Sequence, residues 1–166
     1  MFHHGLLSKK AIESFFINGS NMAGHVSHFI ENIEHSTGAL GHGLSVGLGM
    51  ALGCRSKGYN NRIFVVVGDG ELHEGSNWEA IMYAGHQTAG NLCVLVDKND
   101  RTMTGITSEE CSLDPLMAKF NAFQFDSYEI EDGHNELEIM NIIKKTANSK
   151  KPVAIICNTI KGKGIS

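Results

Sequence analysis

Three short runs, each apolar at every position, constrain the fold of this chain more than any other feature. They read IFVVV (63–67), LCVLV (92–96) and VAIIC (153–157). A strand with one face in water alternates apolar and polar residues, whereas a strand covered on both faces is apolar throughout. Such strands belong to parallel sheets, and the stretches between these runs read as helices. The sequence therefore predicts an α/β fold with a mostly parallel sheet covered by helices on both faces.

The predicted helices and strands alternate along most of the chain. Helices are predicted at Lys9–Asn18, Gly43–Lys57, Ser76–Ala89, Leu113–Phe123 and Asn135–Asn148, and residues 19–42 are predicted to be mostly loop. Strands are predicted at Arg62–Val67, Asn91–Asp97, Ser127–Ile130 and Pro152–Asn158. Asn135 is placed to cap the last helix, with Glu138 three residues further on.

Composition excludes several classes of function. The 166 residues fit one domain, and a hydrophobic fraction of 42% allows a sizeable core. A net charge of −4 provides no footprint for nucleic acid or for an anionic membrane surface. No apolar run reaches the roughly 18 residues that a membrane span needs. The four cysteines, at positions 54, 93, 111 and 157, form no Cys-x-x-Cys pair, so we expect reduced thiols in a cytoplasmic protein.

Polar residues directly follow two of the predicted strands. Gly68-Asp69-Gly70 comes after the first and Asp97-Lys98-Asn99-Asp100 after the second, so Asp69 and Asn99 are 30 positions apart (99 − 69). One β-α-β unit has that length, and open α/β sheets bind ligands beyond the carboxyl ends of their strands. A carboxylate and an amide oxygen suit Mg²⁺, which usually keeps water and phosphate oxygens among its ligands. The alternative is that Asp69 only caps the following helix and that Asn99 only makes a turn.

Five segments together resemble a known family. They are STGALGHGLSVGLGMALG (36–53), GDGELHEGSNWEA (68–80), NLCVLVDKNDRTMTG (91–105), EDGH (131–134) and NTIKGKG (158–164). In this order and spacing they resemble the N-terminal, pyrophosphate-binding domain of transketolases, over nearly the whole chain. The resemblance implies a three-layer thiamine diphosphate-binding fold in a single domain, 1–166. It also implies transfer of a two-carbon ketol unit from a ketose to an aldose, with thiamine diphosphate and Mg²⁺ as cofactors.

The same resemblance implies roles for particular residues. Asp69 and Asn99 match side-chain ligands of Mg²⁺, and Arg101 matches a residue whose backbone carbonyl binds the metal. The residues implied to bind the cofactor, besides Asp69 and Asn99, are Gly38, Leu40, Gly68, Gly70 and Lys161. The implied catalytic residues are His25, which contacts substrate, and Glu74, which with Glu79 resembles a group of acids linking two active sites across a dimer interface.

Some features depart from the family pattern. Val26 follows Gly24-His25 where the family often has proline, and His42 stands where many relatives have glutamine. We expect that the chain lacks the start and the extreme end of the family domain, and the whole pyrimidine-binding domain. The resemblance therefore implies a partner, a pyrimidine-binding transketolase C-terminal subunit or domain, in a homo- or hetero-oligomer that acts on a sugar (phosphate) substrate.

Two other interpretations of the sequence stay open. The chain could be a subunit of a different thiamine diphosphate enzyme, of the deoxyxylulose phosphate synthase or 2-oxo acid dehydrogenase type, although the stretch ELHEGSNWEA (71–80) favours transketolase. It could also be a non-catalytic, degenerate binding domain.

Overall fold

The computed structural model describes residues 1–165, which fall into two compact units. The first unit runs from Met1 to Ala39 and the second begins at Leu40. The helices are α1 (Lys9–Glu13), α2 (Gly43–Ser56), α3 (Gly75–His86), α4 (Thr107–Cys111), α5 (Leu116–Ala122) and α6 (Glu136–Lys145), with 3₁₀ turns at Phe2–His4 and Gly70–His73. The strands are β1 (Ile63–Gly68), β2 (Leu92–Lys98), β3 (Asp126–Ile130) and β4 (Val153–Asn158). Within residues 1–165, every helix is too short or too polar to cross a membrane.

The first unit contains little regular structure. The hydroxyl of Ser8 caps α1 by accepting a hydrogen bond from the Ala11 N–H (3.1 Å). The sequence predicts that this helix reaches Asn18, but α1 stops at Glu13, and Phe16 takes a positive φ of 58° that no helix contains. No residue of this unit is buried, which agrees with its mostly loop-like chain.

The second unit is built on a four-stranded sheet in which every strand pairing is parallel. The strand order is β1-β2-β4-β3, so β1 and β3 form the edges. Val67 of β1 lies opposite Val96 of β2, which in turn lies opposite Ile156 of β4. The predicted α/β class and the parallel sheet are therefore confirmed. The helix predicted from Leu113 begins later, at Leu116, because the backbone is still extended at Pro115.

Helices cover both faces of the sheet. Helices α2, α3 and α5 pack on one face, where Leu44, Ile81 and Phe120 are completely buried against the strands. Helix α6 packs on the other face, where its Ile143 packs against a buried cluster that includes Ile155. This is the layered arrangement that the apolar runs predict.

Strand β1 departs from that prediction on one of its faces. Its apolar run predicts burial on both faces, but Phe64 is 47% exposed and Val66 is 71% exposed. The reason is that β1 is an edge strand: its Val65 face packs on α2, whereas α6 packs beside β3 and leaves the Val66 face uncovered in the part of the chain that the structure describes. The guanidinium of Arg62 lies 5.1 Å from the centre of the Phe64 ring.

Candidate functional site

A cleft of about 660 Å³, lined by several charged and polar side chains, opens where β1 and β2 end. Of the residues singled out in the sequence, its lining includes Leu40, Gly68, Asp69, Gly70, Glu74, Asn99, Arg101 and Lys161. The carboxyl ends of parallel strands therefore bring together eight positions that the chain spreads over more than a hundred residues.

Asp69 is the most buried acid of the cleft. It is only 3% exposed, and it directly follows β1. Its Oδ1 accepts a hydrogen bond from the N–H of Gly70, and its Oδ2 accepts one from the N–H of Asp100, both at 2.9 Å. Asp100 has a positive φ of 56°, a conformation that aspartate tolerates, and this turns the chain after β2 back towards Asp69. A carboxylate has about four lone-pair sites, so Asp69 can bind one more partner.

Asn99 lies in the turn that follows β2. Its Oδ1 accepts a hydrogen bond from the N–H of Arg101 at 3.1 Å, and its Nδ2 donates one to Oδ2 of Asp97 at 2.9 Å. The other oxygen of Asp97 accepts a hydrogen bond from the hydroxyl of Thr159, just beyond β4. Asn99 therefore makes a turn and Asp69 caps the following 3₁₀ turn, as the alternative interpretation of the sequence expects. These hydrogen bonds still leave free lone pairs on the side-chain oxygens of both residues.

The backbones of Gly70 and Arg101 lie close together at the lining of the cleft. A Cβ added to Gly70 would lie 3.1 Å from the carbonyl oxygen of Arg101 and 3.3 Å from Cα of Thr102. A side chain at position 70 would therefore push the two turns apart. Glycine allows backbone from both strand ends to line the same space.

The loop that carries Leu40 is held against the start of α3. Gly41 donates its N–H to Oε1 of Glu71 (3.0 Å), and its carbonyl accepts the hydroxyl of Ser76 (2.8 Å). Gly41 has a φ of 78°, and a Cβ there would lie 2.6 Å from Cβ of Glu74. Leu40 is 48% exposed at the lining of the cleft, and Glu74 is also exposed.

Glu110 adds a negative charge at the rim. Its carboxylate accepts hydrogen bonds from the hydroxyls of Thr102 and Thr104, each at 2.8 Å. These two hydrogen bonds hold the pKa of Glu110 below its ordinary value. They also fix the loop of residues 102–105.

Of the two lysines near the strand ends, one forms ion pairs outside the cleft and the other lines the cleft. Lys98 binds Asp114 at 2.9 Å and Glu129 at 3.5 Å. Burial lowers the pKa of Lys98, but the hydrogen bond and charge of Asp114, with help from Glu129, outweigh burial and raise that pKa. Lys161, by contrast, lines the cleft and is exposed.

The loop that carries Lys161 is tied to the turn before α6. The N–H of Ile160 donates to Nε2 of His134 at 2.9 Å, so this nitrogen acts as an acceptor. The ammonium of Lys163 lies 3.7 Å from Oδ1 of Asp132. The EDGH motif therefore has a structural role in holding the loop of residues 159–163.

His25 and Gly38 belong to the first unit, where they lie against each other. Gly38 has a φ of 118°, and a Cβ added to it would lie 3.0 Å from Cγ of the His25 ring. The second unit brings the other predicted site residues together at the cleft.

Sequence reasoning missed several residues of the cleft. They include Glu71, Asp97, Thr102, Thr104 and Glu110, which line it, and Thr159, which supports it. Asp97 carries a usable signal, because it is an acid at the end of the same strand that leads to Asn99. Glu71 and Glu110 give no such signal, because their roles arise from contacts with loops distant in the sequence.

The donor atoms that face the cleft limit the kind of metal it can hold. Among residues 1–165, no three His, Cys, Asp or Glu side chains come together as a metal site. Asp69, Asn99 and the backbone carbonyl of Arg101 offer oxygen atoms only. Such a sparse oxygen set fits a small hard cation that takes its other ligands from water and phosphate.

Comparisons with known proteins point to one family. Residues 4–166 match the family model described as transketolase, thiamine diphosphate binding domain. The chain is 36% identical over 163 residues to an apulose-4-phosphate transketolase subunit from Actinobacillus succinogenes, covering 98% of this chain and 59% of that protein. It is 41% identical over 135 residues to the 6-deoxy-6-sulfo-D-fructose transketolase subunit SqwG of a Clostridium species, covering 81% of this chain and 49% of the relative.

The fold matches a solved transketolase as well. The crystal structure of transketolase from Campylobacter jejuni superposes with a TM-score of 0.86 at 26% identity, over 92% of this chain and 25% of that one. This chain therefore spans 59% and 49% of the two curated relatives and 25% of the solved enzyme. From the match of residues 4–166 to the family model, the chain belongs to the family of transketolase thiamine diphosphate-binding domains.

Proposed function

We propose that this chain is the pyrophosphate-binding half of a transketolase-like enzyme, which transfers a two-carbon ketol unit from a ketose to an aldose. Its cleft would hold Mg²⁺ and the diphosphate of thiamine diphosphate. The observation that carries the proposal is the buried carboxylate of Asp69. Through its hydrogen bond to the N–H of Asp100, it joins the turn of Asn99 and Arg101 to the end of β1.

The residues present fit these two groups. Asp69, Asn99 and the Arg101 carbonyl would hold the metal, whose remaining ligands would be diphosphate and water oxygens. Gly68 and Gly70 leave room for the diphosphate to approach backbone, and Lys161 places a positive charge on the same cleft. Leu40 would supply an apolar contact to the cofactor. When bound, thiamine diphosphate supplies the reactive carbon that carries the two-carbon unit.

The chain's own residues would position substrate and move protons. His25 is the proposed substrate contact, because it matches a histidine that contacts substrate in the family, and an imidazole can act as an acid or a base. Gly38 lies against the His25 ring and leaves no space for a side chain there. Glu74 lines the cleft and is exposed. We assign to it the role of an acid that links this active site to a second one across the oligomer interface.

A partner chain completes this proposal. The two relatives compared above are named as subunits, which supports the existence of a partner for this chain, namely a pyrimidine-binding C-terminal subunit. The exposed Phe64 and Val66 of β1 support association with further protein, because such apolar surface is costly in water. The proposed substrates are sugars or sugar phosphates, and the proposed compartment is the cytoplasm, where the unpaired thiols of all four cysteines would stay reduced.

Calorimetric titration of the chain with thiamine diphosphate and Mg²⁺ tests this function. We expect binding that requires the metal and weakens at least ten-fold in Asn99→Ala. Asn60→Ala is the matched control, because Asn60 lies in an exposed loop before β1, outside the lining of the cleft. Metal-independent binding, or equal affinity in wild type and Asn99→Ala, would refute the assignment.

A further inference from the structure

Asp97 sits at the end of β2 and receives hydrogen bonds from two separate segments of the chain. Its Oδ2 accepts Nδ2 of Asn99 at 2.9 Å, and its Oδ1 accepts the hydroxyl of Thr159. Its backbone carbonyl accepts the N–H of Asp69 at 3.1 Å. Asp97 is thus in contact with both proposed side-chain ligands of the metal, although the family resemblance assigns it no role.

A primary amide has two ends of similar shape but opposite polarity. A carboxylate accepts hydrogen bonds and donates none, so the end of Asn99 that faces Asp97 has to be the NH₂. The oxygen of Asn99 is then directed away from Asp97, where it accepts the N–H of Arg101 (3.1 Å) and keeps a lone pair. The opposite orientation would place the amide oxygen against a carboxylate and the NH₂ against the Arg101 N–H.

From these contacts we infer that Asp97 is a positioning residue that selects the amide orientation in which Asn99 presents oxygen to the metal. Thr159 supports Asp97 by donating its hydroxyl. Because Thr159 begins the loop that leads to Lys161, the same carboxylate links the metal site to that loop. The inference rests on the proposed function, since it concerns the orientation of a proposed metal ligand.

Substitutions can separate positioning from plain negative charge. Asp97→Asn removes the charge but keeps a side-chain oxygen that can accept Nδ2 of Asn99, while its own NH₂ can donate to the Thr159 oxygen. Asp97→Ala removes both charge and acceptor. If Asp97 positions Asn99, the Asn variant stays close to wild type and the Ala variant does not. If Asp97 acts by charge alone, both variants weaken metal binding equally.

The test measures Mn²⁺ binding to the full chain in the presence of thiamine diphosphate, with free Mn²⁺ followed by electron paramagnetic resonance. Residues that orient metal ligands typically change metal affinity by about 10–100-fold, which is the loss expected for Asp97→Ala. Thr159→Val should weaken binding in the same direction, and Thr159→Ser, which keeps the hydroxyl, should restore it. Asp126→Ala, at the opposite end of the sheet, is the matched control.

A second measurement is independent of the metal. In ¹⁵N-labelled, metal-free protein, the side-chain NH₂ of Asn99 should be protected from solvent exchange in the wild type and in Asp97→Asn, and unprotected in Asp97→Ala. Equal Mn²⁺ affinity in wild type and Asp97→Ala, or equal losses in the Asn and Ala variants, would overturn this inference alone. Failure of the wild type to bind Mn²⁺ with thiamine diphosphate would overturn the proposed function and this inference with it.

Discussion

Replacing Asp69 by alanine should destabilise the fold as well as remove the proposed metal site. The carboxylate is 3% exposed and accepts two backbone N–H groups at 2.9 Å. A hydrogen bond to a charged group contributes about 1.5–3 kcal/mol, so the pair amounts to about 3–6 kcal/mol. Water entering the cleft would recover part of this, and we expect a loss of about 3 kcal/mol. For a chain of this size, that lowers the melting temperature by about 6–12 °C.

Thermal unfolding of metal-free protein, followed by circular dichroism, measures this effect. Asp126→Ala is the control, because Asp126 makes one hydrogen bond to Ser149 (2.9 Å) and a 4.0 Å ion pair with Lys151. Its loss should stay below about 1 kcal/mol, the usual range for an exposed pair. If Asp69→Ala unfolds at the wild-type temperature, the carboxylate does not hold the ends of β1 and β2 together, and the structural part of the reasoning is wrong.

Three further predictions concern packing, pH and activity. Gly47→Ala should lower the free energy of unfolding in urea by about 1–3 kcal/mol, because the added Cβ would overlap Cγ2 of Val65. Gly49→Ala is the control: open space surrounds Gly49, so this variant should be neutral or stabilising. Equal effects of the two substitutions would contradict the packing of α2 on β1. Burial raises the pKa of Cys157 to about 11, so its thiol should resist alkylation at pH 8 while the exposed Cys111 reacts. The folded state therefore binds the Cys157 proton more tightly than the unfolded state does. The stabilisation from this protonated thiol is complete below about pH 8.5 and is lost as pH rises towards 11. Urea unfolding at pH 8 and at pH 10.5 measures the difference in the free energy of unfolding. Ketol transfer from a ketose to an aldose should be absent with this chain alone and appear when a pyrimidine-binding partner is added; robust turnover by the chain alone would refute the division of the active site.

The sheet was predictable because burial leaves a direct mark on composition. A strand such as β4, buried over Val153–Cys157, has to be apolar at every position, and all four predicted strands lie within two residues of the observed ones. What composition could not show was which strand lies at an edge. Phe64 and Val66 are as apolar as residues of β4, and their exposure depends on where α6 packs.

The site was predictable where chemistry follows a strand end. The spacing of Asp69 and Asn99 indicated a shared location, and the structure places both at one cleft. The position of Asp69 at a strand end does not show that its carboxylate is buried and accepts hydrogen bonds from two backbone N–H groups. Asp97 could be located from the sequence as an acid at the end of the same strand as Asn99, but its hydrogen bond with Thr159, 62 positions away, could not be predicted.

Diffraction from crystals grown with thiamine diphosphate and Mn²⁺ tests the central claim most directly, because the anomalous signal of manganese locates the metal. We predict a single peak at the end of β1, where oxygens of Asp69, Asn99, the Arg101 carbonyl and the diphosphate would hold the metal. The side-chain NH₂ of Asn99 should remain against Asp97. A cofactor bound elsewhere, or a manganese peak away from Asp69 and Asn99, would contradict the account.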